Sequence, residues 1–289
     1  MGKHALAGKE KEVLDATEGS SALGTLARKL SPNYRRSPER FKEWHPVAAA
    51  GYVLFDYCRH LMDRAANVIE RAMLGKNDLP RETLEEFEIR LIDRSLLAED
   101  SVVYAFGVAR HIETEELLAE RVGCTVHLFD PTPPALEFMA SRPKDPKLVF
   151  DPIGVWTSSG PVRFYFDRRE TPKNLSVVNM YHTDDFMEAP CYTLTDIMRR
   201  HGHERIDVLK MDIEGSALPV LAHMLRETTL RPPQIVGALE RPLFVFGTPF
   251  WEVAKVILGK AKLFRDLRKE GYRIRAHHAA EFTAVRKTS

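Results

Sequence analysis

From Ser101 onward, short apolar runs alternate with amphipathic stretches, and that alternation leaves few folds open. The runs at 102–106, 125–129, 148–153, 162–166, 206–211 and 235–239 read as strands. Between them, 114–122, 134–140, 195–201, 217–225 and 251–269 read as helices, with Gly202 stopping one of them. Residues 272–277 and 282–286 read as a closing hairpin. Strands joined through helices lie parallel, with the helices covering both faces of the sheet. The expectation is α/β: a Rossmann-like, mostly parallel sheet of about seven strands with an antiparallel last strand.

The first 97 residues follow a different rule. Apolar residues between Val47 and Leu74 recur at intervals of three and four, which predicts one long helix ending at Gly75. A second helix is expected over 81–97, carrying Leu84, Phe87, Leu91 and Ile92. Residues 1–97 are therefore expected to form an N-terminal helical extension, a cap or an oligomer contact, and 98–289 the main domain. A chain of 289 residues has room for this without disulfide or metal staples. Its three cysteines are scattered, no spacing calls for a metal, and a reducing compartment is expected. Lys and Arg total 42 against 41 Asp and Glu, which argues against a broad nucleic-acid-binding face. No run is long enough to span a bilayer and no secretory pattern opens the chain, so a cytoplasmic protein without membrane insertion is expected.

In a sheet of this kind ligands bind beyond the carboxyl ends of the strands, at the switch point. Three strand ends matter: Phe106-Gly107, Asp130-Pro131 and Asp212-Ile213-Glu214. Gly107 permits a tight turn and close backbone approach. Asp130 follows it by about 23 positions, near the spacing of a carboxylate that holds ribose hydroxyls. A dinucleotide wants a glycine-rich turn and a helix N-terminus for its pyrophosphate. Here there is one glycine, and Glu113, Glu115 and Glu116 open the next helix. S-adenosylmethionine, a nucleoside that is cationic and carries no phosphate, suits that pattern better. The plainer alternatives are an ordinary strand–helix turn at Gly107 and a helix cap at Asp130.

Thr193-Leu194-Thr195-Asp196-Ile197, followed by Ile206-Asp207-Val208-Leu209-Lys210-Met211-Asp212-Ile213-Glu214-Gly215, resembles the signature of FkbM-type methyltransferases. Residues 154–164, 233–240 and the 271–286 hairpin are similar to later parts of that family's domain, and the likeness runs over roughly residues 101 to 287. Two places depart from it: Ala105-Phe106-Gly107-Val108-Ala109 replaces a first motif richer in Asp, Gly and Asn, and Ala217 replaces a Glu. The resemblance implies a class I methyltransferase fold and S-adenosylmethionine-dependent methyl transfer to a hydroxyl of a sugar, small molecule or natural product. It implies cofactor contacts from Ala105, Phe106, Gly107 and Val108, ribose contact from Asp130 beside Pro131, and adenine contact from Ile153 and Gly154.

A hydroxyl acceptor must lose its proton as the new bond forms. Asp212 and Glu214 are the candidate catalytic carboxylates: on an extended segment their i, i+2 spacing points both to one side. His182 is the third candidate, because imidazole titrates near neutrality. Lys210 is expected to be structural, pairing a carboxylate beneath the site. The competing readings are an N- or RNA-methyltransferase on the same fold, and a non-catalytic partner subunit that kept the fold. The expected partner is a small-molecule or carbohydrate acceptor, with the N-terminal helices as a candidate homodimer contact.

Overall fold

The structure is a computed structural model that describes residues 46–166, 175–179, 183–240, 250–277 and 280–286. The chain forms two compact units, one of Met1–Ile69 with Phe244–Thr248 and one of Glu70–Leu243 with Pro249–Ser289. The division at residue 70 lies well before the expected boundary at 97.

In the first unit the described element is helix α1 (Pro46–Leu74), which continues past the unit's end. Val53, Asp56 and Ala66 are buried on one side, and Asp56 accepts from Arg59 Nη2 at 2.6 Å. Leu54, Leu61 and Val68 are exposed on the other.

The second unit opens on a short antiparallel hairpin, β1 (Glu85–Phe87) and β2 (Arg90–Ile92), flanked by single 3-10 turns. The expected helix over 81–97 is absent. Leu84, Phe87 and Leu91 are buried in either arrangement, so their spacing does not separate the two. Tertiary partners decide it. Gln234 exchanges two hydrogen bonds with the Asp93 backbone at 2.8 and 2.9 Å, and Thr283 Oγ1 donates to the Leu91 carbonyl at 2.8 Å. Thr114 Oγ1 donates to the Phe87 carbonyl at 3.1 Å. The hairpin is thereby part of the main unit's packing, which is why that unit starts early.

The main sheet has seven strands: β3 (Val102–Phe106), β4 (Thr125–Phe129), β5 (Leu148–Asp151), β9 (Val208–Met211), β10 (Gln234–Ala238), β11 (Tyr272–His277) and β12 (Glu281–Arg286). Their order is β11-β12-β10-β9-β3-β4-β5. β5, β4, β3, β9 and β10 run parallel and β12 runs antiparallel between β10 and β11, a Rossmann-like α/β fold. Helices α2 (Glu113–Arg121), α3 (Pro133–Ala140), α4 (Leu194–His201), α5 (Ala217–Glu227) and α6 (Phe250–Lys269) connect the strands. Successive side chains alternate faces. Tyr104, Phe106, Leu209 and Met211 pack with α4, α5 and α6, while Val103, Ala105, Val126 and Val208 pack with α2 and the hairpin.

The 162–166 run belongs to a separate three-stranded sheet, not to the main one. Its strands are β6 (Gly154–Val155), β7 (Gly160–Tyr165) and β8 (Phe186–Tyr192), in the order β6-β8-β7. Among the described residues no helix is long and apolar enough to cross a membrane.

Candidate active site

β3 is the switch point: β4 and β5 lie on one side of it, β9 and β10 on the other. A cleft open to solvent lies at these carboxyl ends. Phe106 and Gly107 line it from β3, Asp130 and Pro131 from β4, Gly154 from β6, and Asp212 and Glu214 from β9.

The Gly107 bend is fixed by what it touches. Its φ is +91°, and a Cβ there would stand 1.9 Å from the Asp212 carbonyl oxygen. Only glycine permits both. The Gly107 amide donates to the Phe129 carbonyl at 3.1 Å, and the Asp212 amide donates to the Phe106 carbonyl at 3.0 Å. Three strand ends are thus tied together at this residue. Ala109, two positions on, is also left-handed at φ 45°.

Asp130 holds that loop. Its Oδ2 accepts from the Val108 and Ala109 amides at 3.0 and 2.9 Å, and its Oδ1 from the Thr132 amide at 2.9 Å. A carboxylate has about four acceptor sites, so little of its capacity remains for a ligand. Asp130 does more than cap a helix: it shapes the Gly107–Ala109 wall of the cleft.

At the β9 end the chain turns through two left-handed residues, Glu214 at φ 44° and Gly215 at φ 78°. Two clamps hold this strained turn. Ser176 Oγ donates to the Glu214 carbonyl at 2.5 Å, and the Gly215 amide donates to Glu240 Oε2 at 2.7 Å. The turn, rather than strand alternation, brings Glu214 into the cleft with Asp212. Burial first, then the charges of Glu240 and Asp212, push the Glu214 carboxyl up to about 7. Burial also raises Glu240.

Asp212 has different company. Its Oδ2 lies 2.5 Å from Nη2 of buried Arg90, whose Nη1 is 3.2 Å from Glu281 Oε1. Lys210 Nζ is 3.9 Å from the same Asp212 oxygen and 2.8 Å from Glu115 Oε1, with Lys210 and Glu115 both buried. Lys210 therefore pairs a carboxylate beneath the cleft, as its position in the motif suggested. A chain of alternating charges, Glu115–Lys210–Asp212–Arg90–Glu281, runs under the site. Asp212 is anchored by cations, whereas no cation pairs with Glu214 among the described residues. Two carboxylates in one cleft with such unlike surroundings suit separate acid–base tasks.

The eight candidate cofactor residues divide. Phe106, Gly107, Asp130, Pro131 and Gly154 line the cleft. Ala105, Val108 and Ile153 do not: their side chains are buried in the two cores. Strand alternation turns Ala105 to the opposite face from Phe106, and Val108 reaches the site only through its amide. Of the candidate catalytic residues, Asp212 and Glu214 meet in the cleft, while His182 lies outside the described residues. The acidic opening of α2 is weaker evidence against phosphate than its sequence suggests, because Glu115 pairs with Lys210 and Glu116 with Arg142.

Three residues escaped the sequence reading. Arg90 sat in a stretch read as a distant helix. Glu240 follows β10, where only its position beyond an apolar run marks it. Ser216 is the N-cap of α5, yet its hydroxyl makes no capping bond. Ser216 lines the cleft, and its hydroxyl is buried with no hydrogen-bond partner among the described residues. Cap serines usually satisfy a helix amide, and this one does not.

No curated protein matches the chain. Among solved structures it is similar to a fibrillarin pre-rRNA processing protein from Methanococcus jannaschii, at 11% identity and a TM-score of 0.36, over 71% of each chain. It is also similar to an O-methyltransferase family protein from Burkholderia thailandensis, at 10% identity and a TM-score of 0.31, over 88% of this chain and 63% of that one. The family model for the methyltransferase FkbM domain matches residues 98–274. That match spans more than half of the sequence and includes every strand end around the cleft, and the chain belongs to the FkbM methyltransferase family.

Proposed function

We propose that this methyltransferase uses S-adenosylmethionine to methylate a hydroxyl of a small molecule, sugar or natural product. The observation that carries the reading is Glu214: a cleft carboxyl, held on a strained turn, whose surroundings keep it half-ionised near neutral pH. The cleft also suits the cofactor's chemistry. It has the narrow Gly107 bend and a carboxylate-rich β9 end where a cationic ligand is favoured over a phosphate.

When bound, S-adenosylmethionine supplies an electrophilic methyl carbon on a sulfonium. The chain's own residues do the rest. The Gly107–Ala109 loop and Asp130 would hold the nucleoside, Asp130 using what acceptor capacity its three backbone bonds leave. Asp212, fixed by Arg90, orients the acceptor. Glu214 would take the proton of the acceptor hydroxyl, a task best done with a pKa near the working pH. His182 is the other candidate base.

Calorimetry with S-adenosylhomocysteine tests the cofactor. Binding is expected, and a 2′-deoxyribose analogue should bind about tenfold more weakly if the diol contact exists. This comparison leaves the protein unchanged, whereas Asp130→Ala would also release three loop amides. Equal affinities remove the ribose contact, and absence of binding removes the cofactor. For the acceptor, hydroxylated sugars and phenols are screened for product mass, with Glu214→Gln expected to bind cofactor but not turn over.

A further inference from the structure

Helix α1 turns large apolar residues outward. Its buried side carries Asp56, 1% exposed, while Leu54 and Val68 on its outer side are 60% and 68% exposed. Surface helices normally do the opposite. The outer residues are also spaced in a way solvent does not require. Gly51, Leu54, Cys58, Leu61, Ala65 and Val68 follow intervals of three and four without a break, the 3.5-residue period of a helix seam that packs on another helix. Small residues (Gly51, Cys58, Ala65) alternate strictly with large ones (Leu54, Leu61, Val68).

We infer that this face is a homodimer interface in which α1 packs antiparallel against α1 of a second copy. The alternation selects the orientation. Two such seams placed parallel would put large on large and small on small. Placed antiparallel, each large residue meets a small one, the interdigitation that fills an interface without voids. One register does this throughout: Leu54 against the partner's Ala65, Cys58 against the partner's Leu61, and Gly51 against the partner's Val68. The same register overlaps the two helices over almost their full length, roughly 40 Å at 1.5 Å per residue. It sets Tyr57 beside the partner's Arg64, an arrangement suited to a cation–π contact. On the other flank it places Phe55 beside the partner's Met62. With exposed Met62 and Ile69 included, each copy would bury roughly 600 Å², within reach of standard dimer interfaces. A membrane surface would cover apolar area too, but it gives no reason for a small residue at every alternate seam position.

Sedimentation of the full chain at micromolar concentration tests this. A mass of two chains is expected, falling to one in Leu61→Glu/Val68→Glu with the thermal unfolding of the monomer retained. Orientation is read by disulfide trapping in a Cys58→Ser background. Mixed Leu54→Cys and Ala65→Cys chains should cross-link, while Leu54→Cys alone should not, since those positions would lie about 16 Å apart along the axis. A single-chain mass for the wild type overturns the inference, whether residues 1–45 cover the face or the monomer sediments with phosphatidylserine vesicles. A dimer that survives the double substitution, or self-linking of Leu54→Cys, overturns it as well.

Discussion

Arg90 Nη2 stands 2.5 Å from Asp212 Oδ2, so a buried guanidinium from an N-terminal hairpin fixes a carboxylate at the carboxyl end of β9. The two residues are 122 positions apart in sequence. The same guanidinium reaches Glu281 on β12, which makes the hairpin part of the site's foundation rather than an appendage.

Replacing Arg90 should accordingly damage stability and activity together. Arg90→Met keeps most of the apolar stem but leaves Asp212 and Glu281 without their shared cation. Breaking a buried pair from one side typically costs about 3–5 kcal/mol; because Asp212 is partly exposed, about 2–3 kcal/mol is expected here. Urea unfolding measures the loss. Arg90→Lys should recover part of the stability but less of the turnover, since a point charge does not reproduce the planar fork. Full activity in Arg90→Met would mean that Asp212 needs no positioning.

Arg90 also shows where sequence reading stops. The parallel strands were legible because each is a nearly unbroken apolar run, and Gly107, Asp130 and Asp212-Ile213-Glu214 were legible because strand ends in such sheets are where ligands sit. The hairpin was not. Leu84, Phe87 and Leu91 are spaced as a helix would space them, and what forms strands instead is Gln234 bonding to the Asp93 backbone from 141 positions away. β8 was missed because Glu188 and Pro190 interrupt it. Proline is tolerated there, since β6 pairs only with the Cys191–Tyr192 end and that edge of the strand is open at Pro190. Ala105, Val108 and Ile153 were assigned as contacts from motif position alone. Which side of the strand each residue faces, and whether a residue acts through its amide, is decided by three-dimensional placement.

Glu214 gives the activity a rising acid limb. As a base it works only when ionised, so kcat/KM should climb as pH passes about 7, and Glu214→Gln should abolish that limb with the turnover. Stability should move the other way. The folded-state pKa, about 7, lies above the ordinary 4.5, so the native state binds more protons than the unfolded chain between those values. Glu214 therefore destabilises progressively as pH rises through that window, by about 3 kcal/mol when fully ionised. Glu214→Gln should be more stable than wild type above neutrality and about equal to it near pH 4.5. Unfolding curves across the window that coincide for the two proteins would show that the carboxyl titrates normally.

Ser216→Ala should separate folding from binding. The wild-type hydroxyl is buried without a partner among the described residues, and an unsatisfied group of this kind costs about 1–3 kcal/mol. The variant should therefore melt at a higher temperature than wild type in the absence of ligand. If the hydroxyl serves a ligand, affinity for S-adenosylhomocysteine or for the acceptor should fall about tenfold. Unchanged affinity for both would leave Ser216 a mere packing defect.

Away from the cleft, His127 should govern stability on the acid side. Its ring packs against Tyr104, His201 and His203, with ring centroids 4.5 Å apart for His127 and His203, and its Nδ1 has no hydrogen-bond partner among the described residues. Burial, and then the two neighbouring histidines, lower its pKa from 6.5 to about 4. Tyr104 donates or accepts at His203 Nδ1 over 2.8 Å, and His201 Nε2 lies 3.2 Å from Asp151, so the neighbours already have partners, while His127 Nδ1 has none among the described residues. Between pH 4 and 6.5 the unfolded chain binds a proton at this position that the native state refuses. The stabilisation is thus complete above 6.5 and drains away as pH falls toward 4, by about 3 kcal/mol in all. His127→Phe fits the aromatic cluster and does not titrate. The difference between its urea midpoint and that of the wild type should change across this range, with the variant most favoured near pH 4. The slopes from His127 and Glu214 have opposite signs over overlapping windows, so wild-type stability should be flat where each single variant is sloped. A wild type that instead unfolds steeply on acidification, with His127→Phe following it point for point, would assign the acid sensitivity to other groups.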